Sequence, residues 1–385
     1  MEQKISNTQP SNGMKLLIAT GLYAPEIGGP ATYTAFLEKH LLRYGVAYEV
    51  LPFSVVRKYP KVIRHFAYLI KLLLRSRGTT ALYALDTVSV GLPVCIASFL
   101  TRKPYLLRVP GDYAWEQGQQ RYGVTGSLDT FQSIERYALP VRVLVFIQRL
   151  VARRALHIVV PSEYMKGIVA GWGVDTERIT RIYSVLKEVA VPESREVLRE
   201  KFGYHDFIVT TAGRLVPWKG MRVLIDVVAS IRAKGVPVTL EIIGDGVCKD
   251  ELIVHVRKLG AEAYVHLRGM VSREELARRI TASDAFVLNT AYEGLSHQLL
   301  EVMSLGVPIV TTPVGGNIEL IKGGETGIFI PYDNEEKIQG ALQGLYEEPR
   351  SGKVLAERAR TTLGMFREDI VIEEFVTLLH TLWKF

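Results

Sequence analysis

The sequence predicts an α/β protein built from two doubly wound parallel sheets. Three observations carry this. Short apolar runs alternate with helical patterns along the whole chain, the mark of a parallel sheet covered on both faces by helices. The alternation runs twice, with a boundary near residues 183–205, where Tyr183–Glu196 lacks clean periodicity. The length, 385 residues, suits two domains.

The first pass opens at Lys15–Thr20, a short apolar run ending at Gly21, as expected of a strand buried on both faces. Further strands are expected at Val46–Phe53, Thr80–Leu85, Pro104–Val109 and Leu156–Val160. Helical patterns fill the gaps at Ala31–Tyr44, Tyr59–Ser76, Ser89–Leu100, Ser133–Arg153 and Ser162–Gly171, and Ser162, after Pro161, is placed to cap the last. In the second pass, strands are expected at Phe207–Ala212, Thr239–Ile243, Val265–Leu267, Ala285–Leu288, Ile309–Thr311 and Gly327–Ile330. The matching helices are Gly220–Ala233, Cys248–Leu259, Arg273–Thr281, Gln298–Leu305, Glu335–Tyr346 and Gly352–Leu363, with a last helical pattern over Arg367–Phe385. Ligands of such sheets sit at the carboxyl ends of the strands, which for two facing domains points to the cleft between them.

Composition narrows the function. Hydrophobic residues make up 48% and charged residues 23%, an ordinary globular balance. The two cysteines, Cys95 and Cys248, form neither a disulfide framework nor a zinc or redox motif, so a reducing, cytoplasmic compartment is the simplest setting. No apolar run approaches a membrane span, and residues 1–13 read as a polar leader without a signal-peptide core. The net charge of +7 is uneven: residues 1–190 hold 24 Lys and Arg against 13 Asp and Glu. A basic first half favours a phosphorylated ligand or an anionic membrane surface; nucleic acid ranks last because no motif for it is present.

Chemistry concentrates in three segments that follow strands. Tyr292–Ser304 holds Glu293 and Glu301 in an E-x7-E pattern. Ser296, His297 and Gln298 fall at the turn into a helix, where unpaired backbone amides and the helix dipole suit a phosphate. A carboxylate on that helix can accept hydrogen bonds from ribose hydroxyls. Upstream, Gly213–Gly220 places Arg214 and Lys219 around Pro217, a forked donor and a point charge suited to a pyrophosphate. Downstream, Gly315-Gly316-Asn317-Ile318-Glu319 opens a helix with two glycines that permit close backbone approach. The histidines show no metal-ligand spacing.

Together these segments resemble the retaining GT-B glycosyltransferases of family 4, the glycosyl transferases group 1. IGDG at Ile243–Gly246, TGIFIP at Thr326–Pro331 and Tyr23–Pro30 fit the same pattern, so the resemblance covers residues 14 to about 380. It implies two Rossmann-like domains facing a cleft. Residues 14–190 would form an acceptor domain and residues 191–366 a donor domain. Residues 367–385 would form a helix packing back on the first.

The resemblance also implies roles. Arg214 and Lys219 would neutralise the donor diphosphate, Glu301 would hold the ribose, Glu293 would contact the transferred sugar, and Gly28 and Gly29 would let the first loop close on the phosphates. Where the family often has a His after the fourth strand, this chain reads Arg108–Tyr113, leaving Asp112 as the polar candidate for a catalytic side chain. The linker, Tyr183–Leu186, also lacks the family's usual Asn-Gly-Val run.

The expected activity is retaining, metal-independent transfer from a nucleotide-diphosphate sugar to a hydroxyl acceptor, with no cofactor. A lipid-linked or membrane-associated glycan precursor is the acceptor expected from the basic helices at Lys58–Arg77 and Arg142–Arg154, which would seat the protein peripherally on the inner face of the membrane. The rival readings are a nucleotide-sugar 2-epimerase of the same architecture and a non-catalytic nucleotide-sugar-binding module.

Overall fold

The structure, a computed structural model, describes residues 13–26, 28–133 and 137–383; residues 1–12 of the expected leader lie outside the described residues. The chain divides into two compact units. Unit one comprises the chain up to Val185 together with Phe366 onward; unit two is Leu186–Met365. The division falls after Val185 rather than after residue 190, because Leu186 already belongs with the second unit.

The first unit holds six strands: β1 (Lys15–Thr20), β2 (Ala47–Pro52), β3 (Ala81–Ala84), β4 (Tyr105–Arg108), β5 (His157–Val160) and β6 (Ile179–Arg181). All pair in parallel in the order β2-β1-β3-β4-β5-β6. The chain steps outward from β1 to β2 and then returns to the other side of β1. Right-handed crossovers therefore place Gly29–His40 on one face and Lys61–Ser76, Gly91–Thr101 and Leu139–Arg154 on the other. On the first face, Leu16, Ile18, Tyr83 and Leu106 of the sheet pack with Phe36 and Leu37 and with Val371, Phe375 and Leu379 of the last helix, Glu368–Trp383. Tyr83 and Phe375 stack with centroids 5.4 Å apart.

The second unit holds β7 (Phe207–Ala212), β8 (Val238–Ile243), β9 (Val265–Gly269), β10 (Ala285–Leu288), β11 (Ile309–Thr311) and β12 (Ile328–Phe329), all parallel in the order β12-β11-β10-β7-β8-β9. Strands β7, β8 and β10 are buried along their whole length, and the one charge among them, Glu241 of β8, is paired with Arg268 and Arg279. The chain runs outward from β7 through β8 and β9, then crosses to begin again at β10 on the other side of β7. The switch point of this sheet therefore lies between β7 and β10.

The structure corrects several expected elements. The helix expected over Ser133–Arg153 begins at Leu139, with Pro140 in its first turn, and Leu128–Ser133 is a separate helix. A proline is accommodated in a first turn and not in a helix interior. Strand β6 and the helices Tyr113–Arg121 and Arg195–Phe202 lie in stretches without a clear apolar period. Ser162 caps its helix as expected, accepting from Met165 N at 3.1 Å.

Candidate functional site

The loops after β7 and β10 meet at the switch point of the second sheet. After β7 the chain makes one tight turn, Pro217–Lys219, and enters the helix Met221–Ala233. After β10 it runs through Glu293 into the helix His297–Leu305. Lys219 Nζ and Glu293 Oε1 form an ion pair across these loops, their side chains 11% and 16% exposed. A charge pair this secluded is held by geometry, since either partner alone would be an uncompensated charge.

Backbone lacing fixes both loops. Ala291 N donates to Trp218 O at 2.8 Å, and Thr312 Oγ1, after β11, donates to Thr290 O at 2.6 Å. Asn289 Nδ2 lies 3.1 Å from Gly220 O and 2.7 Å from Asp333 Oδ1, and Asn289 Oδ1 accepts from Asp333 N at 3.0 Å. The paired glycines act by close approach. Gly316 N donates to Glu293 O at 3.0 Å, and a Cβ on Gly315 or Gly316 would run into the carbonyl oxygen of Glu293 or Gly294. Gly244 and Gly246, after β8, press in the same way on Gly213 and Leu215. The glycine motifs are thus the floor on which Glu293 and the Gly213–Gly220 turn rest.

Ser296 caps the helix His297–Leu305, its hydroxyl accepting from Leu299 N at 3.3 Å. His297 and Gln298 form the first turn, and Gln298 Nε2 is buried with no acceptor in the structure. An unsatisfied buried donor costs free energy until an acceptor arrives, so this atom is suited to meeting a ligand. Glu301, one turn further, receives Arg273 Nε at 3.1 Å and Nη2 at 2.7 Å on Oε1. Burial pushes the Glu301 carboxyl above its usual pKa, and Arg273 opposes that shift in part. Arg214 is exposed, its guanidinium 5.8 Å from the Trp218 ring, on the same loop as Lys219.

Of the expected residues, the structure brings Lys219 and Glu293 into contact and strings Ser296, His297, Gln298 and Glu301 along one helix. Arg273, Asn289, Thr290 and Asp333 were not expected. Each acts through a partner distant in sequence, and no local motif marks it.

Gly28, Gly29 and Asp112 belong to the first unit. Gly28 precedes the helix Gly29–His40, where an added Cβ would come within 2.7 Å of Leu22; Gly29 has open space. Asp112 is fully buried as the cap of Tyr113–Arg121, accepting from Trp115 N at 2.9 Å, Gln148 Nε2 at 3.0 Å and Gln132 Nε2 at 2.9 Å. Burial raises its pKa despite these bonds. It lies between the carboxyl end of β4 and the helix that it caps. Among the described residues, no three His, Cys, Asp or Glu side chains gather to hold a metal ion.

Comparison with known proteins follows the same division. The family model for glycosyl transferases group 1 matches residues 194–362. The alpha-D-kanosaminyltransferase of Streptomyces kanamyceticus is 30% identical over 174 residues, 45% of each chain. A GDP-mannose-dependent alpha-(1-6)-phosphatidylinositol monomannoside mannosyltransferase of Mycolicibacterium smegmatis is 29% identical over 227 residues, 57% of this chain and 56% of that protein. The matches span about half the length of the curated relatives. The fold is shared across nearly the whole chain with HepE of Anabaena, solved with UDP and glucose: TM-score 0.76 and 19% identity over 96% of this chain and all of that one. It is likewise shared with sucrose-phosphate synthase of Thermosynechococcus elongatus, TM-score 0.76 and 15% identity over 96% and 99%. This chain therefore has the GT-B glycosyltransferase fold, and its residues 194–362 match the family model for glycosyl transferases group 1.

Proposed function

We propose that the protein transfers a sugar from a nucleotide-diphosphate donor to a hydroxyl acceptor, with retention at the anomeric carbon and without a divalent metal. The observation that carries this reading is the Lys219–Glu293 pair at the switch point, beside a capped helix start whose Gln298 lacks an acceptor. On donor binding, Lys219 exchanges Glu293 for the diphosphate, and Glu293 is released toward the sugar hydroxyls. Arg214 and the first-turn amides of His297 and Gln298 add donors to the same charge, while Glu301, steadied by Arg273, accepts from the ribose.

The bond from the anomeric carbon to the phosphate oxygen breaks, the acceptor oxygen attacks from the same face, and the departing diphosphate takes its proton. Growing negative charge on that diphosphate is the difficulty to be met, and one preorganised donor is worth about 3–4 kcal/mol. Asp112, held by Trp115, Gln132 and Gln148, fixes the start of the helix Tyr113–Arg121 in the first unit. The acceptor is a lipid-linked or membrane-associated glycan precursor, met on the cytoplasmic face; the named acceptor of the mycobacterial relative is consistent with this.

The test is a thermal-shift panel of UDP-, GDP- and ADP-sugars followed by transfer assays on the stabilising donor. The correct donor raises the melting temperature as its concentration exceeds Kd. Activity survives EDTA, and Arg214→Ala lowers kcat/KM about a hundredfold. Donor consumption that ignores the acceptor, an inverted product, or an EDTA-abolished activity restored by Mg²⁺ would each overturn the corresponding part.

A further inference from the structure

We propose that one helical face of the first unit docks on the surface of an anionic lipid bilayer. The face is made by Lys61–Ser76, Gly91–Thr101 and Leu139–Arg154, which lie side by side with the middle helix packed against both others. A helix covering a sheet ordinarily buries its apolar stripe and turns polar residues outward. These helices bury Tyr68, Leu72, Val94 and Val151 and still turn large apolar side chains to the outside. Phe66, Ile70 and Leu74 project from the first, Phe99 and Leu100 from the second, and Val143 and Phe146 from the third. Phe66 and Phe146 are each 66% exposed and Phe99 76%. Isolated exposed apolar residues are ordinary, but a run across three adjacent helices marks an interaction surface.

Charge selects the occupant. The first helix carries Lys61, Arg64, Lys71 and Arg75, the third Arg142, Arg149, Arg153 and Arg154, and none of the three contains an Asp or Glu. The side chains of Lys61 and Val62, expected in this stripe and its apolar flank, lie outside the described residues. A second copy seated face to face would set one cationic surface against another. Nucleic acid would engage the cations and leave the phenylalanines against water. A bilayer with anionic headgroups satisfies both: the rings enter the boundary between headgroups and acyl chains while the cations meet phosphates. Arg142, Arg149 and Phe146 also line a cavity of about 650 Å³, so part of this cationic face is recessed. Among the described residues no helix is long and apolar enough to cross a membrane.

This inference needs the first unit's surface and does not rest on the donor reading. The test is co-sedimentation of the full chain with phosphatidylcholine vesicles and with mixed phosphatidylglycerol–phosphatidylcholine vesicles, at low and high salt. Binding to the mixed vesicles, weakened by salt, is expected. The variant Phe66→Ser/Phe99→Ser/Phe146→Ser should lower the partition coefficient at least about tenfold. Lys71→Gln/Arg142→Gln/Arg154→Gln should lower it about a hundredfold, at about fivefold per charge. All six positions face outward or half outward, so both variants should melt at the wild-type temperature. No pelleting at low salt, or wild-type partition by both variants, overturns the proposal. Vesicle binding by a protein that transfers no sugar leaves the docking face standing and removes only the transferase reading.

Discussion

Lys219 and Glu293 are 74 residues apart in sequence and in contact in the fold, and their burial makes them costly to separate. Breaking a buried pair by removing one member costs about 3–5 kcal/mol, whereas replacing both by apolar residues is often neutral. Lys219→Ala is therefore expected to lower the melting temperature sharply, and Lys219→Met/Glu293→Leu to recover most of the loss while remaining without transfer activity. Denaturation curves and transfer rates on the three proteins check this; recovery of activity in the double variant would assign the pair a structural role alone. Glu301 supplies a pH prediction. Its carboxyl titrates above the usual 4.5 because burial outweighs Arg273, and the proposed ribose contact needs the ionised form. Donor affinity should therefore fall on acidification through that raised pKa, beginning at higher pH than an ordinary glutamate would allow. In Glu301→Gln the affinity should be weaker at neutral pH and lack this acid dependence, as calorimetric titration across pH would show.

At the scale of elements, the glycine pairs turn strand ends into a site. Gly316→Ala would push Cβ against the Gly294 carbonyl and displace the segment that carries Glu293. It is expected to cost about 1–3 kcal/mol, the range of an overpacking strain, and to reduce turnover as well. Gly344→Ala, at an exposed position of the helix Glu335–Glu347 with open space at its Cβ, should instead stabilise by about 0.5–1 kcal/mol. Chemical denaturation of the two variants separates contact from conformational freedom. Much of this level was legible in sequence, because β7, β8 and β10 are rich in apolar residues and the motifs directly follow strands. What escaped is instructive. The helix Tyr113–Arg121 buries only Ala114, Trp115 and Gly118 and so lacks a strong period, and its cap, Asp112, looked like a residue free to do chemistry. Arg273 sits in a different strand–helix unit from Glu301, and spacing along one segment cannot reveal such a partner. Phe66 falls in the basic stretch Lys58–Arg77 expected at a membrane, whereas Phe99 lies in a helix with no basic residue, and periodicity there reports an apolar face and not what lies against it.

On the scale of the whole molecule, the first unit is assembled from both ends of the described chain. Glu368–Trp383 buries Val371, Ile372, Phe375 and Leu379 against the β1–β3–β4 side of the first sheet, and Lys39 and His40 pair with Glu368. A fragment ending at residue 365 should expose that core and aggregate or melt early, while residues 186–365 alone should melt cooperatively. Calorimetry of the two fragments tests this, and a fragment 1–365 that melts like the intact chain would show the last helix to be dispensable. Because the second unit is one uninterrupted stretch and the first is not, the order of completion during synthesis is the reverse of the order of the sequence. The ribosome has delivered every residue of the second unit before the first can close its core. Until then residues 14–185 present an uncovered apolar sheet face during translation, which is the state a nascent-chain chaperone would have to shield.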